Sequence, residues 1–255
     1  MLFKADELLA ARSEKLKKLV KSCAKPPVLA LIWVGNDAQT AKFVSAKQKA
    51  AKDLGCEVAI HHFTQISERQ LAATIQSLAE KKGVNGIVIQ LPLPSEINTE
   101  RMIGLIPSAL DIDGLLPNSP YSCPTPSGII QLLQFHKVDL KNKKTVIIGN
   151  GRLVGAPLAK LFIENNWQFE QINSSAETKI EQIKSADVVI SCTGKSGLIV
   201  PEMVADHQII IDGSGVDVDV KIIEPLVTAI TPARGAIGPL TVSNLLENLI
   251  VSAKA

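Results

Sequence analysis

The chain has 255 residues, of which 46% are apolar and 20% charged, with a net charge of +2 at pH 7. This composition excludes a disordered chain, and the interleaving of acidic and basic residues argues against a nucleic-acid binder. No stretch approaches the roughly 18 uncharged apolar residues that a membrane-spanning helix needs. The four cysteines are scattered and lack zinc-ligand spacing, and no export signal is visible. We therefore expect a reduced, cytoplasmic protein with no metal site and no membrane partner.

The first half alternates amphipathic and apolar segments. An amphipathic helix opens the chain, and the apolar run Val28–Val34 predicts a buried strand. A helix over Ala38–Leu54 follows, with Gly55 as its stop signal. Residues 56–63 predict a second strand, Ser67 and Gln70 form a capping-box pattern, and residues 86–90 predict a third strand.

The second half continues the alternation after a Pro-, Ser- and Asp-rich loop at residues 107–126. Helices are predicted at 128–136 and 241–253, and strands at 145–148, 168–172, 188–191 and 209–211. Alternating strands and helices predict parallel sheets with both faces covered. Proline-rich crossings near residues 124–126 and 230–232 divide the chain into two α/β domains and let the last helix return to the first domain.

A glycine-rich turn follows the strand at residues 145–148. Gly149, Gly151 and Gly155 stand between this strand and a helix, where backbone N–H groups can approach a pyrophosphate. The spacing G-x-G-x-x-x-G is one residue longer than usual, but its setting favours a nucleotide site over a plain turn. Two later turns are further cofactor candidates, although ordinary glycine turns explain each equally well: Thr193, Gly194, Gly213 and Gly215.

The residues at the end of the next predicted strand, 168–172, do not decide between NAD and NADP. No acidic residue is obviously placed for a ribose diol there, and no basic residue for a 2′-phosphate. Glu170 is a candidate for the diol, and Ser174 or Arg152 for the phosphate.

Five segments together resemble the methylenetetrahydrofolate dehydrogenase/methenyltetrahydrofolate cyclohydrolase family: GIVIQLPLP, DIDG, CPTPSG, GNGRLVGAPL and ITPARGAIGPLT. The resemblance covers nearly the whole chain. It implies oxidation of 5,10-methylenetetrahydrofolate with NAD(P)⁺ and hydrolysis of the methenyl product to 10-formyltetrahydrofolate. It also implies a folate-binding α/β domain at residues 1–122, completed by a helix at 241–255. A Rossmann domain at 123–240 would bind the dinucleotide across a cleft, and two copies would pair as a homodimer.

The resemblance assigns roles to individual residues. Lys47 matches the catalytic lysine, Gln90 the glutamine that orients it, and Asp113 the acid that binds the pterin ring. Residues i and i+4 share a helix face, so Phe43 and Lys47 are expected to point the same way. Further residues are implied in substrate binding (Phe43, Pro92, Leu93, Gly238 and Pro239) and in NADP binding (Asn150, Arg152 and Ser174, beside the glycines above).

Several positions depart from the family pattern. Phe43 replaces a tyrosine, Asn150 replaces a basic residue, and the loop after Asp113 lacks a Gly-Arg-Leu stretch. The run Ala233-Arg234-Gly235-Ala236 replaces a Pro-Gly-Gly segment. Because Lys47, Gln90 and Asp113 remain, we hypothesise that hydrolysis is retained more securely than hydride transfer, and that NAD can replace NADP.

Three alternatives remain open from the sequence. The first is a cyclohydrolase whose dehydrogenase activity is weakened or lost. The second is a shikimate-type two-domain dehydrogenase, which shares the broad architecture and also uses a lysine and an aspartate. The third is a folate-binding module without catalysis, suggested by Phe43 and Asn150.

Overall fold

The computed structural model describes residues 1–173 and 179–255. The chain divides into two compact units. The first-half unit comprises Ala11–Ser122 and Val242–Ala255, and the second-half unit comprises Met1–Ala10 and Cys123–Thr241. The expected first domain began at residue 1, whereas here the first ten residues belong to the second-half unit. Leu2 forms a β-bridge with Ile230, and the N–H of Phe3 donates to the Ile230 carbonyl at 2.8 Å.

Helices and strands alternate along the described chain. The first half contains α1 (Asp6–Lys21), β1 (Val28–Val34), α2 (Ala38–Leu54), β2 (Glu57–Phe63), α3 (Glu68–Glu80), β3 (Gly86–Ile89) and α4 (Thr99–Gly104). The second half contains α5 (Pro124–Phe135), β4 (Thr145–Ile148), α6 (Gly155–Glu164), β5 (Phe169–Ile172), α7 (Ile180–Lys184), β6 (Val188–Ser191), β7 (Ile209–Asp212), α8 (Val220–Ile223), β8 (Ala229–Ile230) and α9 (Ile237–Ser252).

Local chemistry explains where the first-half helices begin and end. The Asp37 carboxylate caps α2 by accepting from the backbone N–H groups of Gln39 and Thr40, and Gly55 ends the helix at φ +87°. The predicted bounds of α2 are confirmed. The predicted capping box of Ser67 and Gln70 is also present at the start of α3.

The first-half unit is built on a parallel sheet of order β2-β1-β3. Leu29 and Leu31 of the central strand face a core that includes Leu246 of α9. Ala30 and Ile32 face the opposite core, which includes Ile75 of α3. Both faces of β1 are therefore covered, as its continuous apolar run predicts.

The second-half unit is built on a parallel sheet of order β5-β4-β6-β7-β8. Strands β4 and β6 are buried along their whole length. One core packs Ile147 and Ile190 against Leu158 and Phe162 of α6. The short strand β8 was not predicted from the sequence.

Two helices begin earlier than the sequence suggested. Helix α5 starts at Pro124 rather than residue 128, and α9 starts at Ile237 rather than residue 241. Proline fits the first turn of a helix, because its missing N–H would have no intrahelical partner there. Pro124 therefore begins α5 instead of lying in the loop predicted at residues 107–126, and Pro239 lies in the first turn of α9.

Candidate active site

Lys47 and Gln90 meet in the first-half unit. Lys47 lies on α2, and its Nζ donates to the side-chain oxygen of Gln90 at 2.9 Å. Gln90 directly follows β3, and its own amide nitrogen donates to the Leu91 carbonyl at 3.0 Å. This second bond fixes the orientation of the amide, so that the oxygen faces the amine.

Asp113 completes the electrostatic environment of this pair. Burial lowers the pKa of Lys47, and the carboxylate of Asp113 partly opposes that effect. Burial raises the pKa of Asp113, against the influence of Lys47 and with a further contribution from Asp111. Desolvation disfavours the charged form of each group, so the lysine is pushed toward a neutral amine. A neutral amine in this position can take up a proton.

A pair of stacked aromatic side chains lies next to Gln90 on the sheet. Trp33 lies opposite His62 in the β1–β2 register, and their rings stack at 3.8 Å with an interplanar angle of 11°. On the other side, the N–H of Gln90 donates to the Ile32 carbonyl at 2.8 Å, which places Gln90 beside Trp33. The indole nitrogen of Trp33 is buried and has no partner among the described residues. Sequence reasoning did not single out Trp33, which becomes visible only through the strand register.

The other residues implied in substrate binding differ in exposure. The Phe43 ring is 49% exposed, one turn before Lys47 on α2. Pro92 is exposed, but Leu93 is packed in the core on the α3 face of the sheet, which argues against a substrate contact through its side chain. Gly238 and Pro239 are exposed in the first turn of α9, within the second-half unit.

The glycine turn of the second-half unit suits a pyrophosphate. Gly149 has φ +108°, a conformation that favours glycine, and α6 begins at Gly155. A Cβ on Gly155 would collide with the Gly149 carbonyl, so the turn closes tightly on the helix start. The side-chain amide of Gln171 donates to the Gly149 carbonyl at 2.9 Å and braces the turn. The residues present therefore fit a dinucleotide.

Asp217 joins the two other turns at the sheet edge. Its fully buried carboxylate accepts from the N–H of Thr193 at 2.7 Å and from the Ser191 hydroxyl at 2.5 Å. The Ser214 hydroxyl donates to the other carboxylate oxygen at 2.5 Å. Asp217 thus holds the turn containing Gly194 against the turn containing Ser214. The sequence did not indicate this role, because Ser191 and Thr193 are distant from Asp217 in the chain.

The remaining predicted cofactor residues are distributed around these turns. Asn150 is exposed and Arg152 is half-buried next to Gly151, while Gly213 and Gly215 follow β7. Ser174 lies outside the described residues. Glu170 forms an ion pair with Lys144 at 3.6 Å and a hydrogen bond with Gln182. These two contacts occupy the carboxylate that was a candidate for binding the ribose diol.

One unit has a parallel sheet with glycine turns at its strand ends, and the other has a desolvated lysine on a helix packed against a second parallel sheet. Together they define a two-domain α/β enzyme with a dinucleotide-binding domain. Residues 3–113 match the family model of the tetrahydrofolate dehydrogenase/cyclohydrolase catalytic domain. Residues 122–255 match the NAD(P)-binding domain of the same family. The chain belongs to the tetrahydrofolate dehydrogenase/cyclohydrolase family, so the expected family, fold class and cofactor domain are confirmed.

Individual relatives agree with this assignment. The bifunctional protein FolD of Acholeplasma laidlawii is 33% identical over 93% of this chain and 92% of the relative. The crystal structure of the bifunctional FolD enzyme of Campylobacter jejuni has a TM-score of 0.91 at 30% identity, covering 100% of this chain and 98% of the other. The shikimate 5-dehydrogenase of Thermus thermophilus has a TM-score of only 0.56 at 12% identity, covering 89% and 98%, and shares the fold alone. The shikimate-type alternative is therefore set aside.

Proposed function

We propose that the chain oxidises 5,10-methylenetetrahydrofolate with NAD(P)⁺ and hydrolyses the resulting 5,10-methenyltetrahydrofolate to 10-formyltetrahydrofolate. The observation that carries this proposal is the hydrogen bond between Lys47 and Gln90 beside Asp113. A desolvated amine and a carboxylate in one site suit a substrate that is cationic at the reacting carbon and rich in N–H donors at its ring. The names of the relatives support the same pair of reactions.

Lys47 acts in the hydrolytic step. Water adds to the methenyl carbon, and the neutral amine accepts a proton from that water as the carbon–oxygen bond forms. The bond from this carbon to N5 then breaks as the new hydroxyl loses its proton to solvent and becomes the formyl carbonyl; N5 takes up the proton held by the Lys47 ammonium, and the formyl group stays on N10. Burial lowers the pKa of Lys47, and the cationic substrate favours the neutral amine further, so both effects favour the form that accepts a proton.

Gln90 and Asp113 place the reacting groups. The Gln90 oxygen accepts from the Lys47 amine and directs its lone pair, while its amide nitrogen is occupied by the Leu91 carbonyl. The Asp113 carboxylate accepts paired hydrogen bonds from the amino and ring N–H groups of the pterin. Two parallel donors facing a carboxylate give both affinity and orientation. The exposed ring of Phe43 stacks on the planar substrate.

The turns of the second-half unit hold the dinucleotide. Gly149, Gly151 and Gly155 would receive the pyrophosphate, and the turns joined by Asp217 would line the same sheet edge. A bound nicotinamide ring would accept the hydride that leaves the methylene carbon of the substrate. We propose NADP as the default, with Arg152 as the candidate for its 2′-phosphate. Because Asn150 is uncharged, NAD is the alternative cofactor.

A second candidate function is hydrolysis without hydride transfer. Phe43 lacks the hydroxyl of the family tyrosine, and Asn150 lacks the family's positive charge, while Lys47, Gln90 and Asp113 are all present. From the family resemblance we also propose a homodimer that pairs through the second-half units. The four free cysteines support a cytoplasmic location, and none of the described helices is long and apolar enough to cross a membrane.

The experiment follows purified protein with 5,10-methylenetetrahydrofolate and either NADP or NAD, recording absorbance of the reduced cofactor and of the methenyl product. Reduction of one cofactor together with enzymatic hydrolysis of added methenyltetrahydrofolate establishes both activities. Hydrolysis above background without reduction of either cofactor establishes the second candidate. Absence of both reactions would overturn the proposal.

A further inference from the structure

Asn248 of α9 binds two backbone carbonyls of the loop that carries Asp113. Its side-chain amide nitrogen donates to the Ile112 carbonyl at 2.8 Å and to the Ser122 carbonyl at 3.0 Å. The two carbonyls bracket residues 113–121, so one side chain fixes both ends of this segment. The amide nitrogen has two N–H groups, and these two bonds use both of them.

The bond to Ile112 acts directly on Asp113. The Ile112 carbonyl belongs to the peptide group whose nitrogen is the backbone N of Asp113, and that group is planar and rigid. Holding the carbonyl therefore fixes the start of the Asp113 residue. A movement of this peptide would displace the carboxylate from the neighbourhood of Lys47.

The loop is closed on itself by Asp111. The Asp111 side chain is 1% exposed and accepts from the N–H of Leu116 at 2.8 Å. Its carbonyl accepts from the Ser119 hydroxyl and from the N–H of Gly114, each at 3.0 Å. These bonds keep the loop compact, but they do not attach it to a helix.

Helix α9 is itself firmly held where it presents Asn248. The guanidinium of Arg12 on α1 donates to the Glu247 carboxylate at 2.8 Å and to the Asn244 side chain at 2.6 Å. The Arg12 side chain is only 11% exposed. Asn248 therefore projects from a backbone that is held in place, so its amide can keep the loop in a fixed position.

We infer that Asn248 is a positioning residue for folate recognition, which keeps the Asp113 carboxylate where it pairs with the pterin. The inference rests on the proposed function, since it presumes that Asp113 binds the substrate. Asn248 touches no substrate atom in this account and acts through the Ile112–Asp113 peptide. Its loss therefore weakens binding more than it slows the chemical step.

Two measurable effects follow. A displaced Asp113 binds the pterin less well, so KM for methenyltetrahydrofolate rises while kcat changes little. Asp113 also raises the pKa of Lys47, opposing the effect of burial. Moving it away lets the pKa of Lys47 fall further, and the rising limb of the pH–rate profile shifts to lower pH. A purely structural role of Asn248 would produce neither effect.

The test compares Asn248→Asp with a matched control, Ser252→Ala. The aspartate keeps the shape but turns a carboxylate oxygen toward the two carbonyls in place of the donor. Ser252, also on α9, donates to the Ala109 carbonyl at 3.1 Å, which lies before this loop and away from the Asp113 peptide. Asn248→Ser, which keeps one donor in a smaller side chain, serves if the aspartate variant does not fold.

The measurements are Tm, cyclohydrolase kcat and KM across pH, and calorimetric affinity for 5-formyltetrahydrofolate as a stable folate. For Asn248→Asp we expect KM and Kd to rise at least about tenfold with kcat within about threefold, and for Asn248→Ser a smaller rise in the same direction. Ser252→Ala should keep the wild-type KM. Wild-type KM, Kd and pH profile in the Asn248 variant that folds would overturn the inference while leaving the proposed function intact. A wild-type protein that neither binds the folate nor hydrolyses the substrate would overturn both.

Discussion

The amine of Lys47 and the side-chain oxygen of Gln90 are 2.9 Å apart, although the two residues are separated by 43 positions in the chain. Lys47 reaches this partner from α2, whose start is fixed by the Asp37 cap. Gln90 sits at the carboxyl end of β3, where ligands of parallel α/β sheets bind. The bond therefore ties a helix to the functional edge of the sheet and directs the lone pair of the amine.

Gln90→Glu replaces the neutral acceptor of the Lys47 amine with a carboxylate. A negative charge at hydrogen-bond distance favours the protonated amine, so the pKa of Lys47 rises. Because the neutral amine is the active form, the rising limb of the cyclohydrolase pH–rate profile should move to higher pH by at least about one unit. Gln48→Glu, an exposed position on the same helix, adds the same charge without the contact and should leave the limb in place. An unshifted limb in Gln90→Glu would show that the Lys47 amine is not the titrating base.

Phe43→Tyr restores a hydroxyl one helical turn before Lys47. The ring is 49% exposed, so the hydroxyl can be added without disturbing the core. One additional hydrogen bond in the transition state, about 1 kcal/mol, predicts a rise of about fivefold in the dehydrogenase rate. Initial rates with saturating NADP measure it, with Phe135→Tyr, an exposed phenylalanine of the second-half unit, as control. Equal rates in wild type and Phe43→Tyr would mean that the missing hydroxyl does not limit hydride transfer.

Gly155→Ala tests the dinucleotide turn. The new Cβ would collide with the Gly149 carbonyl, so the turn must open and its N–H groups lose their arrangement around the pyrophosphate. We expect NADP to raise the Tm of the wild-type protein through linkage and to leave that of the variant unchanged. Gly104→Ala, where an added Cβ meets nothing within 4 Å, should keep the wild-type response. If NADP raised the Tm of Gly155→Ala as much as that of the wild type, the cofactor would not bind at this turn.

Much of the fold was predictable from local chemistry. The bounds of α2 follow from an aspartate cap and a glycine stop, and the capping box of α3 follows from the pair Ser67 and Gln70. The start of α5 was missed because Pro124 was assigned to the loop at residues 107–126, and α9 begins four residues before the predicted start at residue 241. A proline ends a helix or opens one, and only its neighbours in space distinguish the two cases.

The site was predictable only in part, for a physical reason. Lys47, Gln90 and Asp113 were named from family resemblance, because no local pattern marks residues that meet across a sheet. The position of Trp33 beside Gln90 depends on strand register, and the role of Asn248 depends on a bond spanning 136 positions. Asp217 was not singled out from the sequence, yet its buried carboxylate organises two turns at once. Such contacts follow from tertiary packing rather than from spacing.

Glu247 links α9 to α1 through a pH-dependent ion pair. Burial alone would raise the pKa of Glu247, but hydrogen bonds from Lys15 and Arg12 outweigh it and hold the pKa below its usual value. A depressed carboxyl pKa contributes stability that is present above the unfolded pKa of about 4.3 and is lost as pH falls through the folded pKa. Glu247→Gln should therefore lower the free energy of unfolding by about 2 kcal/mol at pH 7.

The contribution of Glu247 is measured as the difference in unfolding free energy between wild type and Glu247→Gln at pH 7, 5 and 3. We expect the difference to persist from pH 7 to 5 and to shrink at pH 3. Glu14→Gln serves as the control, because its ion pair with Lys17 is exposed and should matter little at any of these pH values. A constant difference across the series would rule out the carboxylate as its source.

The amine of Lys47 is assigned the proton that leaves water in the hydrolytic step, and Lys47→Met removes that amine. Methionine keeps the length of the side chain and tolerates burial, but it cannot accept a proton. We expect cyclohydrolase activity to fall by at least about 10²-fold, while calorimetric affinity for NADP is unchanged. Retention of wild-type hydrolysis in Lys47→Met would show that Lys47 is not the group that takes the proton from water.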